Sequence, residues 1–122
     1  MDDSLRLAVQ LFNEGQFSEF QDALEGLTSS TRASSERQFY SLLDNLAEAM
    51  LQLGDGDLLD AEQMIAGALR KLDEFVPRFR DLNVEALRDD FRQVLVELRD
   101  SREGRRPDPA PSRMPRLRAV AD

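Results

Sequence analysis

The spacing of apolar side chains constrains this chain most. Across residues 1–100 they recur every three or four positions, and no segment keeps the two-residue alternation of a half-buried strand. Leu5, Ala8, Val9 and Phe12 predict a first helix from Asp3 or Ser4 to Asn13, closed by Gly15 in a left-handed cap. Phe17, Phe20, Leu24 and Leu27 predict a second over 18–27, which Gly26 and the run Thr28–Thr31 should break. A third, over 36–53, has the broadest apolar face, and Ser35 with Gln38 reads as its capping box. Asp57 should cap a fourth helix that runs to Phe75, before Pro77. Asn83 should cap a fifth that runs to Asp100, with Leu82 and Leu87 placed for a hydrophobic staple. The expected fold class is all-α: a compact antiparallel bundle of about five helices over residues 1–100.

Residues 101–122 differ. They hold four of the five prolines, six arginines and few large apolar side chains, and read as a basic, Pro-rich, flexible tail. Charge divides at the same place. Residues 1–100 carry 21 acids and 10 bases, net −11, while the tail carries 6 bases and 3 acids, net +3.

The chain has no cysteine and no histidine. Zinc sites of Cys/His type, thiolate nucleophiles, Ser-His-Asp triads and imidazole switches are therefore excluded within it. No stretch nears the ~18 apolar residues of a membrane span. The acidic start Met1-Asp2-Asp3 is unlike a secretory signal, so the expected location is the cytoplasm. No cofactor motif is present: Gly54-Asp55-Gly56-Asp57 lacks the lysine and the preceding strand of a phosphate loop.

Two sets of carboxylates are metal candidates. Glu19 and Asp22, with Glu25, follow one another at three-residue steps on the second helix; Asp44 and Glu48 lie four apart on the third. Facing one another, Glu19, Asp22, Asp44 and Glu48 would hold Mg²⁺ for hydrolysis of a phosphorylated small molecule. The same pattern also fits wet helix faces of an acidic protein. Arg37 is placed to tie the second and third helices by pairing with Glu19 or Asp22. A nucleic acid would have to be held by the tail, since the acidic body repels phosphates, and no aromatic side chain interleaves the tail arginines. Leu117 and Val120, beside Arg116 and Arg118, have the form of a short docking motif, and a tail folded back on its own body fits equally.

Two resemblances add to this reading. Residues 8–27 and 47–69 resemble helix–turn–helix units of the tetratricopeptide kind, but Gly15 and Gly54 stand 39 apart where that repeat uses 34. A longer match runs in order through Phe12-Asn13, Gly15, Phe17, Glu19, Leu24-Glu25, Glu36-Arg37, Phe39, Leu43, Leu46-Ala47, Gly56-Asp57, Ala61, Ala68-Leu69 and Leu82-Asn83-Val84. This resembles the domain-of-unknown-function 309 family over about residues 5–98. The resemblance implies a compact fold of about five helices and little about activity. That family usually reads Glu-Ala-His-Glu where this chain has Glu19-Phe20-Gln21-Asp22. Thr28 stands near its usual tryptophan, and Leu51 and Gln52 where histidines often occur. The resemblance thus implies a divergent member without the family's imidazoles.

The expected function is a non-enzymatic interaction or accessory module, acting on a protein partner or a second copy of itself. An apolar face left over on the first two helices, Phe17 and Phe20 included, would serve with Arg113, Arg116 and Arg118 of the tail.

Overall fold

The computed structural model describes residues 1–120 and carries five helices: α1 (Asp3–Asn13), α2 (Phe17–Ser30), α3 (Ser34–Gly54), α4 (Leu58–Leu72) and α5 (Val84–Arg102). A hairpin of two-residue strands, β1 (Arg78–Phe79) and β2 (Leu82–Asn83), lies between α4 and α5. Each helix packs on its neighbours in sequence, α1 on α2 through to α4 on α5. The stripes named above become the core: Leu5, Ala8 and Phe12 of α1, Phe17, Phe20, Leu24 and Leu27 of α2, and a wide face of α3 are all buried.

Two aromatic clusters organise that core. The Phe12 ring lies 5.2 Å from Phe17, 5.0 Å from Phe20 and 6.3 Å from Phe91, tying α1 to α2 and α5. Phe39 lies 5.3 Å from Phe75 and 4.9 Å from Phe79, which sets the hairpin on α3.

Local chemistry explains most boundaries. Gly15 has φ +76°, where a side chain would be strained; its amide and that of Gln16 donate to Phe12 and Leu11, closing α1 as a Schellman motif. Gly104, at φ +80°, closes α5 in the same way and turns the chain back. Asp2 caps α1 by accepting from the Leu5 amide at 2.9 Å, and Asn83 caps α5 by accepting from Ala86 at 2.9 Å.

Four local expectations are corrected. α2 does not stop at Leu27, because the Thr28 and Ser30 hydroxyls donate back to the Leu24 and Leu27 carbonyls and continue the helix. The Ser35–Gln38 capping box does not form. Instead α3 starts at Ser34, and Thr31 accepts from the Ala33 amide at 3.3 Å while donating to Glu36 at 2.6 Å. Asp57 stands at the start of α4 without a side-chain cap bond, and α4 ends at Leu72, with Phe75 buried beyond it. The hairpin was not legible as strand alternation at all. Its turn residues Arg80 (φ 51°) and Asp81 (φ 67°) are both left-handed, as a hairpin of primed type requires. That conformation costs a residue with a Cβ about 1–2 kcal/mol. Asp81→Gly is therefore expected to stabilise the fold by about 0.5–1 kcal/mol, after allowing for glycine's freedom in the unfolded chain. A urea titration checks this, and a lower midpoint would refute it.

Residues 105–120, expected as a flexible tail with folding back on the body as the alternative, run back along α5. Arg105 pairs with Asp100 at 2.9 Å, Arg106 with Glu97 at 3.1 Å, and Arg118 with Asp90 at 2.8 Å. The Ser112 amide and hydroxyl also donate to Glu97, whose side chain is buried. Leu117 is 3% exposed and belongs to the core. No helix among the described residues is long and apolar enough to cross a membrane.

Candidate functional site

Residues 7–31 and 38–69 contain no Lys or Arg, so every charged side chain along those stretches of α2 and α3 is acidic. Between them lies a groove of about 490 Å³. From α2, Gln21, Leu24, Glu25 and Thr28 line it at helical spacing, with Asp22 at its rim; from α3 come Tyr40, Ser41 and Asp44. Leu24 and Tyr40 are each 2% exposed and form an apolar floor, while Asp22 and Glu25 are exposed.

Asp44 is half-buried, and its carboxyl is raised above the usual aspartate value of 3.8. Burial is the main cause and the Glu48 charge adds to it; a hydrogen bond from Gln21 opposes them. Gln21 also donates to Glu48 at 3.1 Å. Among the described residues no Arg or Lys lines this groove; Arg80, Arg99, Arg88, Arg118 and Arg106 pair with Glu36, Glu62, Asp73, Asp90 and Glu97. A raised carboxyl destabilises the fold once ionised. Its protonated form favours the folded state below the ordinary value of 3.8, and that advantage is lost as pH rises through the raised folded value. Asp44→Asn should therefore raise the melting temperature at neutral pH, and the gain should vanish in acid. An equal shift at both pH values would refute the assignment.

The structure gathers only part of the carboxylate set. Asp22 and Asp44 share the groove; Glu48 is held by Gln21 beside it, and Glu19 is exposed outside its lining. Among the described residues no group of three or more carboxylates stands close enough to hold a metal ion. The four-acid Mg²⁺ arrangement is thus not assembled, because the helical step that carries Asp22 to the groove carries Glu19 past its end. Arg37 does not join α2 to α3 through Glu19 or Asp22; its Nε donates to the Thr31 carbonyl at 3.1 Å.

Phe17 and Phe20 are no leftover apolar face. At 7% and 0% exposure they are core, packed on Phe12. Among the described residues four large apolar side chains are exposed and stand apart: Leu7 on α1, Leu59 on α4, Val96 on α5 and Met114 in the C-terminal segment. Of the tail arginines, Arg113 and Arg118 reach Asp90 at 3.6 and 2.8 Å, and Arg116 contributes its backbone amide to the same carboxylate. Charges so paired are less available to phosphates than a free tail's would be.

Tyr40, Thr28 and Ser41 were missed as lining residues. Tyr40, the chain's single tyrosine, stands out in the sequence only as a possible acid/base group; its place under the groove depends on how α2 crosses α3. The chain matches no protein-family model, no curated protein and no solved structure.

Proposed function

We propose that this protein is a non-enzymatic interaction module, and that the α2–α3 groove takes an arginine- or lysine-bearing segment of a protein partner. The observation that carries this reading is the convergence of Asp22, Glu25 and Asp44 on one groove with an apolar floor. One unit charge 4 Å from another gains about 1 kcal/mol in bulk water and about 4 kcal/mol near a protein surface. A guanidinium or ammonium group entering the groove meets more than one carboxylate. Its methylene stem would lie over Leu24 and Tyr40 while the charged head stays wet. The hydroxyls of Thr28 and Ser41 accept hydrogen bonds from the same donors. The acidic body also speeds the approach of such a partner.

The test is fluorescence anisotropy with a labelled peptide alternating arginine and serine. Asp22→Asn with Asp44→Asn should weaken binding about 10-fold or more. Removing the same charge at Asp55 and Asp60, outside the groove, should change it by less than about 3-fold. Equal losses from the two pairs would reduce the effect to net charge and overturn the groove as the site.

A further inference from the structure

The C-terminal segment is bound to the bundle as a peptide ligand is bound. Asn13, the last residue of α1, donates from Nδ2 to the Leu117 carbonyl at 2.9 Å and accepts at Oδ1 from the Leu117 amide at 2.8 Å. One side-chain amide thus reproduces the two hydrogen bonds a neighbouring strand would make. On the other side the segment adds to the hairpin. Leu82 and Ala119 form an antiparallel bridge, the Asn83 amide donates to the Arg118 carbonyl at 2.8 Å, and the Val120 amide donates to the Asp81 carbonyl at 2.8 Å. Two side chains complete the docking: Leu117 in the core, and Arg118 on Asp90, whose side chain is only 13% exposed.

This is strand addition, in which main-chain bonds give affinity and alternate side-chain pockets give selectivity. We propose that the edge formed by Asn13, the Asp81–Asn83 segment and Asp90 is a docking site for an extended segment of a partner protein in which a leucine is followed by an arginine. The chain's own residues 113–120 are its resident occupant, and a partner must displace them. The charge of Asp90 selects the arginine, the Leu117 slot the leucine, and the Asn13 clamp an extended backbone. This surface shares no residue with the α2–α3 groove and stands whether or not that groove binds.

The test uses the full chain and a fluorescent peptide of the sequence Ser112–Val120. Leu117→Asp should release the resident segment while leaving the slot intact, because an exposed carboxylate is cheaper than a buried one. This variant should bind the peptide saturably. The unaltered chain should bind about 10-fold more weakly or worse, since its tethered segment competes at high effective concentration. Adding Asn13→Ala to Leu117→Asp should abolish binding. Arg118→Glu, which breaks the ion pair with Asp90 and leaves the Leu117 side chain unaltered, gives a second route to release if Leu117→Asp lowers helicity. The proposal is overturned if the released, folded variants do not bind, or bind a peptide with aspartate in place of its leucine equally well. Light scattering separates one more case. A dimer of the unaltered chain that excess peptide dissolves would make a second copy the occupant and overturn the assignment to a partner.

Discussion

Phe12→Ala is expected to lower the stability of the fold by about 3–5 kcal/mol, the usual cost of removing a fully buried phenylalanine. Three reasons place it at the upper end. Phe12 is 1% exposed, so nearly all of its apolar area is lost from the core. Its ring meets Phe17, Phe20 and Phe91, so aromatic contacts are lost with area. Those partners come from α2 and α5, so α1 has no single neighbour that can close the cavity by a small shift. The melting temperature should fall by roughly 10–25 °C for a domain of this size. Circular dichroism on heating checks this, and a fall below about 5 °C would show that α1 can repack.

Phe39→Ala should cost a similar amount, about 3–5 kcal/mol, and should do something Phe12→Ala does not. Phe39 is fully buried and supports Phe75 and Phe79. Phe79 belongs to β1, and β2 carries the edge to which the C-terminal segment is bonded. Loss of the Phe39 ring should therefore loosen the hairpin before the bundle opens. The Val120 and Asn83 amides, which hold the segment to the hairpin, should lose protection from hydrogen exchange by a larger factor than amides of α2. A uniform loss across the chain would mean that hairpin and bundle unfold as one unit.

The helical stripes were legible because each depends only on the spacing of its own residues. Gly15 and the Asn83 cap were legible for the same reason, since the bonds they make close within a few positions. What the sequence hid lies between distant positions. Strands of two residues have no period to detect, and Arg80-Asp81 lacks the glycine that marks a primed turn. Thr28 and Ser30 looked like breakers because their hydroxyls compete for backbone; bonded back into the helix, they extend it. The tail was read from its prolines and arginines as a solvated segment. Its place is set by Leu117 and Pro115, which are buried, by Asp90 and Glu97 on α5, and by Asn13, 104 positions from Leu117. The acids of the groove were likewise visible one helix at a time. Which of them meet depended on the crossing of α2 over α3, which keeps Asp22 and Asp44 and discards Glu19.

The neighbour-to-neighbour packing of the helices bears on how the chain reaches its native state. Most pairings join segments adjacent in sequence, so little loop-closure entropy is lost at each step, and chains rich in local pairings fold in microseconds to milliseconds. The Asn13–Leu117 clamp is the opposite kind of contact, since it joins the two ends across nearly the whole chain. It can close only when α1, the hairpin and α5 are already in place. Asn13→Ala should then leave the main folding rate almost unchanged and appear in the unfolding rate alone, as expected for an interaction absent from the transition state.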